Sequence, residues 1–168
     1  MQNFYWLNQA IAYSALVIFI IPLRFVKKLF VFAFLGGFIY TWVVQYLAVH
    51  IAKKWVFTPD ILTLWGIPFF FVMSWFFVTL LFGYLLLKYP KYQIFIVAFF
   101  VVWGTLMSGF ANYYKQIGFE SWSNFETFTY AIFSHVLLLY VFKYMYKVTD
   151  LGAKEDMIDF TLKALKFK

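Results

Sequence analysis

The chain has 168 residues, of which 65% are hydrophobic and 12% charged, whereas soluble domains have about 45–50% and about 25%. This composition predicts one bundle of membrane-spanning helices and leaves no room for a separate soluble domain. The net charge of +7 does not indicate nucleic acid, because Lys and Arg concentrate in short connections and in the tail, where membrane topology and anionic lipid place them. Without Cys there is no disulfide framework or thiolate metal site.

The hydrophobic pattern predicts an all-α fold, a polytopic bundle with five transmembrane helices in residues 1–146. Their expected ranges are 4–23, 29–51, 61–87, 94–114 and 126–146. The clearest span is the third, where 27 residues carry no formal charge, and about 20 apolar residues suffice to cross the hydrocarbon core. Asp60 is expected to cap this helix, and Pro68 is expected to bend it by freeing the carbonyl of Leu64.

Residues 147–168 form a basic tail with two open interpretations. Met157, Ile158 and Leu165 approximate one apolar face, so the tail is either a short amphipathic helix on anionic lipid or a solvated end. Counting Lys and Arg on alternate sides of five spans gives 11 on one side and three on the other. The positive-inside rule then predicts an N-terminus outside and a cytoplasmic C-terminus, in a multi-pass protein of the cell membrane.

Polar side chains concentrate in the outer halves of the predicted spans. Lipid offers them no hydrogen bonds, so they are expected to face one another. One interpretation is an outward-open polar pocket lined with aromatic rings, and the other is interhelical hydrogen bonding beside an interfacial Tyr/Trp belt. The candidate ligand-binding residues are Gln45, Trp65, Asn112, Tyr130 and His135.

His135 and Glu126 are the candidate catalytic residues. An ionisable group in mid-membrane is often functional, and a carboxylic acid above an aromatic cavity could protonate an isoprenoid, whose cation the rings would stabilise. The alternatives are a neutral His135 bonded to a neighbouring hydroxyl or carbonyl, and a Glu126 that caps a helix. With two His and no Cys, no metal site and no cofactor is expected.

Three classes of function fit this pattern. The first is a non-enzymatic integral membrane protein, either a partner of another membrane protein or of a second copy of itself, or a binder of a small lipophilic ligand. The second is an intramembrane enzyme acting on an isoprenoid or lipid. The third is a small transporter or a substrate-binding transporter subunit. Membrane lipids are expected partners of all three.

The size, the Phe-rich helices, the basic stretch R-F-V-K-K after Leu23 and the segment W-G-I-P-F at 65–69 form a recognisable combination. In these features the chain resembles the small, uncharacterised multi-pass membrane proteins common in Gram-positive spore-forming bacteria. The resemblance extends over residues 24–146 and implies the same membrane topology. It implies no site residues, because that group has none to carry over.

Overall fold

The computed structural model describes residues 4–147, which are mostly helical. The helices are α1 (Tyr5–Ile20), α2 (Leu23–Ile51), α3 (Phe69–Lys88), α4 (Gln93–Tyr113) and α5 (Asn124–Tyr146). The strands, all short and all in connections, are β1 (Trp55–Phe57), β2 (Thr63–Leu64), β3 (Ile67–Pro68) and β4 (Ile117–Phe119). The expected ranges of the last two helices agree with α4 and α5 within two residues. The tail helix considered above falls outside the described residues.

Among residues 4–147, four helices are long and apolar enough to cross a membrane: α2, α3, α4 with the turn that precedes it (Pro90–Tyr113), and α5. α1 is equally apolar but has only 16 residues. At about 1.5 Å per residue it is about 24 Å long, slightly less than the roughly 30 Å of a hydrocarbon core.

Pro22 separates α1 from α2, earlier than the sequence pattern suggested. A proline disfavours helical geometry in the residue before it, and Ile21 is extended, with φ −105° and ψ 114°. Pro22 is also the N-cap of α2. The expected ranges 4–23 and 29–51 are therefore wrong at this junction, and the basic stretch 24–28 lies in the first turns of α2 rather than in a connection.

A tight β-hairpin replaces the start of the third predicted helix. Trp65 and Gly66 both have positive φ, 50° and 70°, which is the requirement of a two-residue type I′ turn, and β2 pairs with β3 on either side of them. The expected range 61–87 is wrong at its beginning. The expected bend is also wrong, because Pro68 precedes α3 as its N-cap residue and Leu64 belongs to β2.

Asp60 caps a helix, but the expected assignment to α3 is wrong. Its Oδ2 atom accepts hydrogen bonds from the backbone N–H groups of Trp6 (3.0 Å) and Leu7 (3.2 Å), in the first turn of α1. A carboxylate there satisfies donors that have no partner within the helix and offsets the positive end of the helix dipole. The connection after α2 is thereby attached to the beginning of the chain.

The helices run between two ends of the bundle that differ in charge. At one end, called the strand end here, β1 pairs antiparallel with β4, α1 begins beside Asp60, and α2 and α4 end. At the other, called the basic end, Tyr146 donates a hydrogen bond to the Lys28 carbonyl (2.9 Å). The cationic residues of the basic end within 4–147 are Arg24, Lys27, Lys28, Lys88, Lys91, Lys143 and Lys147.

The backbones form two groups. α1 and α2 each pack closely on α3, and α4 and α5 form a closely packed antiparallel pair. Large side chains join the two groups, for example Phe32 of α2 against Phe142 of α5, with ring centroids 5.3 Å apart, and Phe82 of α3 against Phe100 of α4, at 5.2 Å. The seam between the groups is therefore where space can remain.

Gly37 allows α2 to approach α3 at backbone distance. It lies in a widened π-helical turn of α2 (Phe34–Ile39), and a Cβ atom placed on it would stand 2.6 Å from the carbonyl oxygen of Trp75 and 2.8 Å from the Cα of Phe76. Backbone atoms cannot move aside as the end of a side chain can. A side chain at this position must therefore push the two helices apart.

We expect Gly37→Ala to destabilise the protein by about 1–3 kcal/mol, as overpacked positions generally do. The measurement is thermal unfolding in detergent, followed by tryptophan fluorescence. Gly109→Ala is the matched control, because a Cβ on this α4 glycine would meet its nearest neighbour, Asn124 Oδ1, only at 4.0 Å. Equal stability of the two variants would contradict the close α2–α3 contact.

Candidate functional site

An internal cavity of about 120 Å³ lies in the seam between the two helix groups and is lined by all five helices and by β1 and β4. No Asp, Glu, Lys or Arg of the described chain lines it. Engineered apolar cavities of roughly 150 Å³ take up benzene or xenon, and this cavity is of similar order, although slightly smaller. Its surface is predominantly apolar, with many aromatic rings and several polar side chains.

Tryptophan is the most frequent residue type in the cavity wall. Five of the seven tryptophans of the chain line the cavity. These residues are Trp6, Trp55, Trp75, Trp103 and Trp122. Their large, flat, rigid faces suit a planar or alicyclic molecule, and each indole also carries one N–H donor.

At the strand end, hydrogen bonds and one ring contact join several of the residues that line the cavity. The indole N–H of Trp55 donates to Oε1 of Gln45 (2.9 Å), and the ring of Trp55 packs edge-on against Trp122 at 5.0 Å. The N–H of Trp122 donates to Oγ1 of Thr127 (2.8 Å), whose hydroxyl donates to the Ser123 carbonyl (3.1 Å). The β1–β4 pair is thus fixed to α2 and α5 as a lid over the bundle.

Trp6 lies below this lid and is almost completely buried, with 1% of its surface exposed. Its ring packs edge-on against Phe71 (4.8 Å) and Phe57 (6.0 Å). Its indole N–H has no hydrogen-bond partner among the described residues. Because this nitrogen is itself fully buried, the N–H does not open into the cavity, although the residue forms part of the wall.

His135 lies deeper in the bundle and is 3% exposed. Its Nδ1 atom is 2.8 Å from the carbonyl oxygen of Ala131, one turn earlier in α5. Because a carbonyl can only accept, Nδ1 carries the proton and Nε2 of the neutral ring is an acceptor. Three rings surround the imidazole, those of Phe82 (5.6 Å), Phe100 (6.2 Å) and Trp75 (6.3 Å).

Two aromatic pairs close the seam towards its sides. On one side, the Tyr13 hydroxyl of α1 interacts with the indole of Trp103 in α4. On the other, the hydroxyls of Tyr130 in α5 and Tyr40 in α2 are 3.4 Å apart. All four side chains line the cavity and are partly buried, and each pair connects the two helix groups.

The five candidate ligand-binding residues separate into two sets. Gln45, Tyr130 and His135 line the cavity. Trp65 does not: it lies on the β2–β3 turn, 68% exposed, and packs against Trp42 and Tyr46. Asn112 is also absent from the wall. It lies near the end of α4, where its carbonyl accepts from the backbone of Lys115 (2.9 Å).

The candidate acid and base are not brought together. Glu126 completes a capping box at the start of α5: its Oε2 accepts from the N–H and the hydroxyl of Ser123 (both 2.8 Å), and its own N–H donates to the Ser123 hydroxyl (3.2 Å). This is the capping role considered as the alternative. The side chain does not line the cavity, where His135 lies. Within 4–147 there is no cluster of three His, Asp or Glu residues that could hold a metal ion.

Sequence reasoning left an aromatic-lined pocket open as one interpretation, but the one tryptophan it named as a candidate was Trp65, which does not line the cavity. A usable signal was present in the dipeptides Ser74-Trp75 and Trp103-Gly104. A small residue beside a large ring inside an apolar helix leaves the ring room to turn towards the bundle axis. Trp55 and Trp122, in connections, carried no such signal.

No family model, curated protein or solved structure matches the chain. The geometry described above therefore carries the functional argument alone.

We expect the Gln45–Trp55 hydrogen bond to stabilise the lid. Gln45→Leu should destabilise the protein by about 1–3 kcal/mol, because the buried Trp55 N–H loses its partner. The double variant Gln45→Leu/Trp55→Phe should lose less stability than the two single variants lose in total, because no donor is then left without a partner. Chemical unfolding of the four proteins forms the double-mutant cycle, and strictly additive values would contradict the contact.

Proposed function

We propose that this protein is a five-span protein of the cell membrane that binds a small, uncharged, largely apolar molecule in the cavity between its helices. The observation that carries the proposal is the cavity itself: all five helices and five tryptophans line it, and no Asp, Glu, Lys or Arg of the described residues does. An ion would find no opposite charge there. A neutral ring would find apolar faces and a few polar groups that orient it.

The arrangement of α1 supports five spans rather than four. α1 begins at the strand end beside Asp60 and packs along α3, which starts at the same end. Its 16 residues need only slight thinning of the bilayer or help from its flanking residues to cross. With α1 as a span, the cationic residues of the basic end lie in the cytoplasm, and the lid faces outside.

Cysteine labelling tests this topology in a chain that contains no Cys of its own. We expect a membrane-impermeant maleimide to label Ser121→Cys and Phe4→Cys on intact cells, and Lys91→Cys only after lysis. All three positions are exposed. Labelling of Ser121→Cys but not Phe4→Cys on intact cells would mean that α1 does not cross, and the reverse pattern at Ser121 and Lys91 would invert the orientation.

Two glycines of α4 provide a matched pair for the ligand-binding proposal. Gly104 lines the cavity, and a Cβ there would stand 3.4 Å from the ring of Trp75 and 4.0 Å from that of His135. Gly109 is in the same helix and does not line it. A valine at 104 therefore extends into the cavity, whereas a valine at 109 leaves it unchanged.

We expect 4-ethylphenol, a neutral single-ring probe, to bind the wild-type protein and Gly109→Val, and to bind Gly104→Val at least tenfold more weakly. Isothermal titration calorimetry in detergent measures the affinities. Because Gly104→Val is studied in the same detergent but has a filled cavity, its heat also gives the contribution of probe that partitions into the micelle. Equal heats from all three proteins would show that the probe enters only detergent, and would overturn the proposal.

A further inference from the structure

The imidazole of His135 has one nitrogen without a hydrogen bond. Its Nδ1 atom donates to the Ala131 carbonyl at 2.8 Å, so Nε2 carries a lone pair and no proton. No group of residues 4–147 bonds to Nε2. In this part of the chain, the unpartnered side-chain nitrogens with almost no accessible surface are Nε1 of Trp6 and Nε2 of Gln93. Nε2 of His135 is not one of them, so it retains surface that a small molecule can reach.

That surface belongs to the cavity, because His135 is 3% exposed and lines the cavity wall. A Cβ on Gly104 of α4 would stand 4.0 Å from Cε1 of His135, the ring carbon bonded to both nitrogens. The glycine therefore leaves space beside this edge of the imidazole. The same Cβ would stand 3.4 Å from Cη2 of Trp75, a carbon of the benzo ring. The other two rings around the imidazole, Phe82 and Phe100, contain only carbon.

The lone pair on Nε2 determines which functional group fits beside it. An unprotonated imidazole nitrogen accepts hydrogen bonds, so the lone pairs of a carbonyl, an ether or a carboxylate are unfavourable there. An ammonium group would donate, but no Asp or Glu of the described residues lines the cavity to balance its charge. A hydroxyl donates and is neutral, and therefore satisfies both conditions.

Resting on the proposed function, we propose that the bound molecule carries a hydroxyl group, which donates a hydrogen bond to Nε2 of His135. The ligand is then a neutral phenol or alicyclic alcohol whose ring packs against the tryptophans of the wall. His135 is the residue that selects a hydroxyl over a methyl group of similar size. Two hydroxyls of the wall do not fill this role, because Ser74 and Ser134 donate to carbonyls of their own helices at 2.8 and 3.1 Å.

Two probes of the same shape measure this selection. 4-Ethylphenol carries a hydroxyl where 4-ethyltoluene carries a methyl group, and both are neutral at neutral pH. Calorimetry in one detergent gives their affinities for the full-length wild type and for His135→Phe, which keeps a ring at this position. The ratio of the two affinities is compared between the proteins, so that the different partitioning of the probes into micelles cancels. We expect the ratio to fall by about three- to tenfold in His135→Phe, the contribution of one net hydrogen bond between neutral groups.

The wild-type protein allows a second measurement without any substitution. Its two histidines have opposite tautomers, because Nε2 of His50 lies 2.7 Å from the Trp65 carbonyl and therefore carries a proton. In nitrogen NMR of protein labelled only at histidine, saturating 4-ethylphenol should shift the Nε2 resonance of His135 to lower frequency, as accepting a hydrogen bond does. 4-Ethyltoluene should not produce this shift. His50 does not line the cavity and is the internal control.

The outcomes distinguish this inference from the proposed function. If neither probe binds the wild type better than Gly104→Val, both proposals are wrong. Binding of both probes with an affinity ratio that is unchanged in His135→Phe would overturn the hydroxyl contact and leave an apolar site. An Nε2 resonance of His135 that does not move at saturation with 4-ethylphenol, or a proton on this atom in the free protein, would do the same. If His135→Phe does not fold, the NMR titration of the wild type decides.

Discussion

Hydrocarbon cannot accept or donate a hydrogen bond, and this constraint orders the polar groups of the molecule. A polar side chain in a membrane helix must find its partner inside the bundle or at its ends. Gln45 therefore meets Trp55, Tyr130 meets Tyr40, and His135 returns to its own helix at Ala131. Most of these groups gather around one space, and the remaining faces of the helices are apolar. Many of the polar side chains of the helices therefore lie around the cavity.

The strand end shows how connections complete a bundle that the helices alone leave open. α4 and α5 reach the three-helix group mainly through large side chains, so the seam needs closure from outside the helices. The β1–β4 pair provides it, and the Asp60 carboxylate ties the adjoining connection to α1. The β2–β3 hairpin is fixed separately, by His50 Nε2 at 2.7 Å from the Trp65 carbonyl. The strand end is consequently held together mainly by hydrogen bonds, whereas the helices between the two ends pack mainly through aromatic side chains.

Much of this could be predicted from the sequence, and the misses have physical causes. Apolar run lengths located α4 and α5 within two residues, because nothing in those segments competes with a helix. The same criterion placed the beginning of α3 wrongly. There, Gly66 allows the positive φ of a tight turn, and hydrophobicity alone cannot distinguish a hairpin from a helix. The rule that polar side chains in lipid must find partners identified Gln45 and His135 as candidate ligand-binding residues, and both line the cavity. It could not select Trp6, because the missing partner of its N–H is a property of packing between distant segments.

The cavity also sets a free-energy condition on the fold. Empty space in a protein interior costs about 24 cal/mol per Å³ in measured cases, so about 120 Å³ corresponds to about 3 kcal/mol. Gly104 adds to this space, although a Cβ there would meet only ordinary contacts at 3.4 Å and beyond. An alanine would therefore fill part of the cavity and also favour the helix. A chain that keeps glycine there forgoes stability that an alanine could restore. A ligand of the kind proposed above would recover that stability by packing against the rings of the cavity wall.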